Sequence, residues 1–206
     1  MPRHMIIGIS AMAAVVLASN ILVQFLLGDW LTWGALTYPL AFLVTDVMTR
    51  LHGAAAARRV VLVGFAVGVA CSMVGSQIEG PFGPLVSVRV AIGSGLAFLA
   101  AQLVDVSIFT RLRGQWWHAP LVSSLLGGAL DTLIFFSIAF SAAASPLAPS
   151  VDVAWANEIV PVLGSGPEAP LWISLAIADY GVKLAVACVA LFPFRAITLR
   201  VEAKRL

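Results

Sequence analysis

The stretch FLVTDVMTR, Phe42 to Arg50, sets an aspartate near the end of an apolar run that reads as a membrane helix. A carboxylate in hydrocarbon costs about 2.5–3.5 kcal/mol on insertion scales. An aspartate kept at that cost needs a partner or a polar cavity. The fold therefore turns on whether the rest of the chain is built for a bilayer.

Composition says that it is. Of 206 residues, 61% are hydrophobic and 11% charged, with a mean hydropathy of +1.00. A soluble domain carries roughly 25% charged residues, so this chain cannot cover a water-exposed surface. The pI near 8.8 is then no sign of a nucleic-acid partner, and the basic residues are read by position. Cys71 and Cys188 sit in apolar runs and read as small hydrophobes. Neither disulfide nor metal spacing is present. There is no phosphate-binding loop, metal-ligand cluster or nucleophile–base pair, so neither a cofactor nor enzymatic chemistry is expected. The N-terminal run has about 23 largely apolar residues. Signal h-regions have about 7–15, so it reads as a retained first span.

About 20 apolar residues cross the hydrocarbon core of a bilayer. That rule gives six spans, near 5–27, 31–49, 60–78, 88–110, 119–141 and 171–194. The expected fold is an all-α integral membrane protein, one compact six-helix transmembrane domain over residues 1–206. Connector 142–170 carries Pro146, Pro149, Pro161, Pro167 and Pro170. It reads as an irregular loop with a short amphipathic piece around Val153–Val160.

Six spans place both termini on one side, and the charges sort accordingly. Arg3, Arg50, Arg58, Arg59, Arg111, Arg113, Arg195, Arg200, Lys204 and Arg205 fall on the side of the termini. The positive-inside rule makes that side cytoplasmic. Asp29, Glu79, Asp152, Glu158 and Glu168 fall opposite. Small residues four apart, Gly64 with Gly68, Gly93 with Ala97, and Ala97 with Ala101, suit close helix packing.

Six charges remain in or at the edge of the spans: Asp46, Arg89, Asp105, Asp131, Asp179 and Lys183. Either they pair with one another to hold the bundle, or some line a polar site. Asp179 and Lys183, four apart, share a helix face and can neutralise each other. Arg89 opens the fourth span and either snorkels outward or reaches in as a counter-ion. For Asp46 the rival reading is an interface ion pair with Arg50. Asp131 lies mid-span with no basic residue within a turn. Phe98, Gln102, Asp105 and Phe109 fall on one helix face, as do Ser124, Gly128, Asp131 and Phe135. Asn20 and Gln24 share a face of the first helix. Amide, carboxylate and ring together suit a flat heterocycle with several hydrogen-bonding edges.

At these residues the chain resembles the YhhQ family of queuosine precursor transporters, within the vitamin uptake transporters. The segments that carry the likeness are SNILVQ (19–24), TWGALTYPLAFLVTDVMTRLHGAAAARR (32–59), RVAIGSGLAFLAAQLVDVSIFTRLR (89–113), WWHAPLVSSLLGGALDTLIFFSIAF (116–140) and IADYGVKLAVACVALFP (177–193). They contain every intramembrane charge and the Asn20/Gln24 pair; the likeness fades over 142–170. The resemblance implies a six-helix inner-membrane protein that imports 7-cyano-7-deazaguanine and its aminomethyl relative. It also implies a fold like the substrate-binding subunits of energy-coupling-factor transporters, without an obligatory protein partner. A 7-deazapurine offers two adjacent donors, which a carboxylate accepts in parallel, and a carbonyl that asks for a donor. Asn20, Gln24, Asp46, Arg89, Phe98, Gln102, Asp105, Asp131, Asp179 and Lys183 are the candidate substrate-binding residues. The competing readings are a vitamin-binding subunit that needs an external ATPase and, more distantly, an intramembrane hydrolase.

Overall fold

The computed structural model describes residues 1–80, 83–112 and 114–203. Helix α1 (Arg3–Leu22) is apolar all round, as a helix facing lipid and protein must be. It stops earlier than the expected 27 because Leu26 and Leu27 are drawn into a hairpin. Strand β1 (Leu26–Leu27) pairs antiparallel with β2 (Leu31–Thr32). Gly28 allows that turn with a φ of 70°, a backbone region that L side chains avoid.

The stretch expected as one span over 31–49 is two helices, α2 (Trp33–Thr37) and α3 (Leu40–His52). Pro39 has no N–H to offer the preceding turn. Bonding therefore tightens: Ala41 N–H donates to the Tyr38 carbonyl at 3.0 Å and Phe42 N–H to that of Pro39 at 3.1 Å. The 13 residues of α3 span only ~20 Å at 1.5 Å per residue, short of the ~30 Å hydrocarbon core.

Helix α4 (Ala54–Gly75) begins directly after Gly53, six residues before the expected start. Hairpin β3 (Glu79–Gly80) with β4 (Gly83–Pro84) leads to α5 (Val88–Arg111), whose N-terminus is capped by the Ser87 hydroxyl. Helix α6 (His118–Ala139) follows a short connection. The 142–170 connector is more ordered than expected. It holds 3-10 turns at Ala142–Leu147, Ala154–Asn157 and Val162–Gly164. Strands β5 (Ile159–Pro161) and β6 (Glu168–Pro170) form a hairpin there. Helix α7 (Leu171–Ala203) runs 33 residues, past the expected end at 194, and Pro193 does not stop it.

Among the described residues, five helices, α1, α4, α5, α6 and α7, are long and apolar enough to cross a membrane. The protein is an all-α membrane protein, and the three small hairpins among the described residues sit in alternate connections. At the opposite end the termini gather. The His4 ring stacks on His52 with centroids 4.1 Å apart, and the Arg50 guanidinium donates to the Trp116 carbonyl at 3.3 Å. Of the basic residues assigned to that end, Arg113, Lys204 and Arg205 lie outside the described residues.

The apolar core joins α1, α3, α4 and α5 through Met12, Val16, Met48, Val60, Val61 and Phe98. Small residues permit this closeness. A Cβ on Gly64 would fall 2.5 Å from Met12 Cγ, and one on Gly93 would fall 3.3 Å from the Phe135 carbonyl. Helix α7 packs on α3 and α6 with few buried residues: Ser174, Lys183, Phe194 and Thr198.

Candidate functional site

Two polar clusters occupy the interior where α3, α5, α6 and α7 meet. The first is built around Lys183. Its ammonium donates to Asp131 at 2.7 Å, to Asp179 at 2.5 Å and to the Thr132 hydroxyl at 2.8 Å. Thr132 in turn donates to Asp179 at 2.7 Å, and the Tyr38 hydroxyl donates to the other oxygen of Asp131 at 2.6 Å. The aliphatic stem of Lys183 lies against Gly128 of α6, whose missing side chain leaves it room. Asp131 thus has the cationic partner that its own helix lacks. The Asp179–Lys183 pair forms as the four-residue spacing predicts, and it is one edge of a larger network.

The second cluster centres on Asp46, which is 3% exposed. Ser124 donates to one carboxylate oxygen at 3.1 Å and Ser123 to the other at 3.4 Å. Thr45, beside it on α3, meets the Gln102 carbonyl oxygen at 2.5 Å, joining α3 to α5. Among the described residues, no ion pair joins Asp46 to Arg50. Arg50 turns away, its guanidinium 5.4 Å from the centroid of Phe109 and 5.7 Å from that of Phe194. The ion-pair reading of Asp46 therefore gives way to a hydroxyl-held carboxylate.

A small cavity joins the two clusters. Phe42, Asp46, Ser124, Lys183, Ala187 and Phe194 line it, between α3, α6 and α7. Its volume of about 10 Å³ is that of one water-sized group. A larger cavity of about 290 Å³ lies toward the termini, lined by Thr49, Arg50, Phe109 and Gln115 among others. Phe194 of the first cavity packs edge-on against Phe109 of the second, centroids 6.3 Å apart. This aromatic pair, with Arg50 over it, partitions the two spaces.

Of the ten candidates, Asp46 and Lys183 share a cavity wall, and Asp131 and Asp179 hold Lys183 from behind. Gln102 and Asp105 lie fully buried on the α5 side of Asp46. The other four lie elsewhere. Asn20 donates to the Val16 carbonyl of its own helix. Gln24 falls beyond the end of α1 and is exposed, so the two do not share a helix face. Phe98 packs in the apolar core with its ring 6.3 Å from that of Tyr38. Arg89 is fully buried against the end of α6, donating to the carbonyls of Ile138 at 3.0 Å and Ser141 at 2.5 Å and to the Ser145 hydroxyl at 3.3 Å. It neither snorkels nor pairs with a carboxylate among the described residues; the carbonyls at the negative end of the α6 dipole hold it. Sequence reasoning did not single out Tyr38, Phe42, Thr45, Ser123 or Thr132. The available signals were a Tyr-Pro step inside a span, and hydroxyls directly adjacent to Asp46, Asp131 and Ser124.

Comparison with known proteins fits this arrangement. The family model described as "Putative vitamin uptake transporter" matches residues 32–198, which contain Asp46, Arg89, Asp105, Asp131, Asp179 and Lys183. The chain is 34% identical to the queuosine precursor transporter of Escherichia coli (strain K12), over 93% of this chain and 85% of the relative. It is 33% identical to a Haemophilus influenzae protein named "Probable queuosine precursor transporter", over 85% of this chain and 71% of the relative. A Bacillus subtilis (strain 168) protein of the same name is 28% identical over 81% and 71%. No solved structure matches the chain. With most of its length matched and its buried charges inside the match, the chain belongs to the vitamin uptake transporter family, as a multi-pass membrane transporter of the queuosine precursor type.

Proposed function

We propose that this protein imports 7-deazapurine precursors of queuosine, 7-cyano-7-deazaguanine and its aminomethyl relative, across the bacterial inner membrane. In this reading it is a six-span carrier with both termini in the cytoplasm, α2 and α3 together forming the second crossing. It acts without an obligatory protein partner and without covalent chemistry.

The observation that carries the reading is that Asp46 and Lys183 line one cavity beside the Phe42 ring. The N1–H and exocyclic amine of a guanine-like edge suit the paired oxygens of Asp46. The three N–H groups of Lys183 are engaged by Asp131, Asp179 and Thr132, so the neighbouring carbonyl takes the donor now held by the neutral Thr132 hydroxyl. The bicyclic plane suits the face of Phe42. A room of about 10 Å³ is too small for such a bicycle, so binding requires α7 to move outward. Few of its residues are buried, so little apolar packing opposes that displacement, and the Lys183–Asp131 ion pair is the contact it has to loosen. The larger cavity beyond the Phe109–Phe194 partition then serves as the exit toward the termini.

The test is uptake of each precursor by a cell unable to synthesise either, read as queuosine in its tRNA. Expression of this protein is expected to restore the modified base. Purified protein in liposomes, with no ATPase added, is expected to move the same compounds. No restoration by a protein abundant in the membrane would overturn the reading.

A further inference from the structure

Behind Asp46, on the side away from the cavity, lies a carboxylate that the network leaves out. Asp105 has no exposed surface, and neither of its oxygens has a hydrogen-bond partner. Gln102, one turn earlier on the same face of α5, is equally buried, and its amide nitrogen is also unpartnered. A native interior leaves few such groups unsatisfied. Two at one place mark a site whose ligand is small.

Among the described residues, no cation reaches Asp105 from the elements packed around it. From α3 it is faced by Asp46, another carboxylate, while Arg50 is engaged with Phe109 and Phe194. From α6 it meets Gly127, whose added Cβ would lie 3.3 Å from Asp105 Cβ, and Ser123. Asp131, farther along α6, belongs to Lys183, as does Asp179 on α7. Arg58 and Arg59 of α4 are exposed near its start.

The Ser123 hydroxyl stands between the two aspartates. Its contacts to Asp46 at 3.4 Å and to the Pro120 carbonyl at 3.5 Å are both long, leaving it free to turn toward Asp105. The Gln102 amide is within a helical turn of Asp105 and suits either form of an acid. Its nitrogen donates to a carboxylate. Turned over, its oxygen accepts from a carboxylic acid, while its nitrogen donates to Thr45, whose own proton reaches the Ala41 carbonyl at 3.0 Å.

We propose that Asp105 is a proton-binding site that couples substrate movement to a proton, with Ser123 linking it to Asp46. A metal cation would need several oxygen ligands and room for them, and Asp105 lines neither cavity. A proton needs neither. The O–H bond forms on Asp105 from the outer side. The neutral acid leaves Asp46 as the carboxylate that accepts the donor edge of the substrate, since two adjoining carboxylates resist being ionised together. Release of substrate toward the termini lets water into its place beside Asp46, which eases the repulsion between the two carboxylates, and the Asp105 proton departs to that side. One substrate and one proton thus move in the same direction. This rests on the substrate assignment to Asp46 made above.

The experiment uses purified full-length protein in liposomes loaded with a pH dye, with 7-cyano-7-deazaguanine outside. The wild type is expected to acidify the lumen only when substrate is added, and to accumulate substrate several-fold when an inward proton gradient is imposed. Asp105→Asn is expected to lose accumulation yet still exchange labelled for unlabelled substrate, and Asp105→Glu to regain the gradient response. Wild-type exchange with no proton movement would overturn the coupling while sparing the substrate reading. Gradient-driven accumulation by Asp105→Asn would overturn it as well. If the wild type does not exchange the compound at all, the substrate reading falls and the coupling falls with it.

Discussion

Lys183 of α7 and Asp131 of α6 stand 52 residues apart in the chain and meet at 2.7 Å, with Asp179 on the same ammonium at 2.5 Å. Two carboxylates therefore share one cation. Removing that cation leaves both uncompensated, a change that costs about 3–5 kcal/mol for a buried pair. Lys183→Met is expected to lower the melting temperature in detergent sharply. Asp131→Asn, which keeps an acceptor for Tyr38 and the Asp179–Lys183 pair, is expected to be far milder. Equal melting of Lys183→Met and the parent would show that the network holds nothing together.

Asp46 and Arg50 are one turn apart but have different partners, and this separates their variants. Asp46→Asn keeps the shape while replacing one of two acceptor oxygens with an amine. A site that reads substrate donors by buried hydrogen bonds rejects substrate by orders of magnitude when one acceptor is lost, on the order of 10⁴ in the strongest cases. Uptake by Asp46→Asn is expected to vanish at normal membrane abundance. Arg50→Gln removes the cation over Phe109 and Phe194 and the bond to the Trp116 carbonyl, neither of which touches the Asp46 carboxylate, so binding is expected to persist. Substantial uptake by Asp46→Asn would remove Asp46 from the site.

Gly127 is a close point between α6 and the polar interior, closer than its neighbour Gly128. An added Cβ would lie 2.8 Å from Phe42 Cε1 and 3.2 Å from the Ala101 carbonyl. The ring can shift but the carbonyl cannot without moving α5. Gly127→Ala is expected to destabilise by about 1–3 kcal/mol, the usual range for overpacking. It should also impair binding, because the displaced ring is the one facing the cavity. Chemical unfolding and substrate binding on the same preparation check both effects; a variant as stable and as tight-binding as the parent contradicts the geometry.

The sidedness of the bundle is open to labelling. In a protein with Cys71 and Cys188 replaced, single cysteines at Glu79 or Glu158 are expected to react with an impermeant reagent from outside intact cells. A cysteine at Arg58 is not. Both acidic positions are exposed at the hairpins, Glu79 within β3 and Glu158 just before β5, whereas Arg58 follows the Gly53 turn at the end of the termini. Labelling at 58 from outside would invert the orientation.

The helical membrane architecture was legible because hydrocarbon imposes a length and a composition that any window reveals. Helix ends were less so. Leu26–Leu27 are apolar enough to extend α1, and only the Gly28 turn diverts them. Pro39 is visible in the sequence, but a proline can sit inside a membrane helix, so the step from α2 to α3 needed coordinates. The site was legible in its charges and obscure in their pairing. Asp179 and Lys183 are four apart and announce themselves; Asp131 finds Lys183 only through the packing of α6 on α7. The hydroxyls that hold Asp46 come from α6, and nothing in FLVTDVMTR points to them. Asn20, Phe98 and Arg89 share the polar or aromatic character of the site residues but sit elsewhere, because residue type carries no distance.

Arg89 has a consequence for how the protein is made. It sits in the first turn of α5, at the hairpin end, so in the proposed orientation its charge crosses the bilayer during synthesis, against the bias that retains arginines near the ribosome. The groups that accept its hydrogen bonds, from Ile138 to Ser145, lie about 50 residues later and do not yet exist when α5 emerges. Helix α5 is therefore seated for good only when α6 follows it across and delivers those carbonyls. The short connection between Arg111 and His118 lets the two enter as one helical hairpin. An arginine with no carboxylate thus fixes an order of insertion, and truncation of the nascent chain before Ile138 is expected to leave α5 extractable from the membrane.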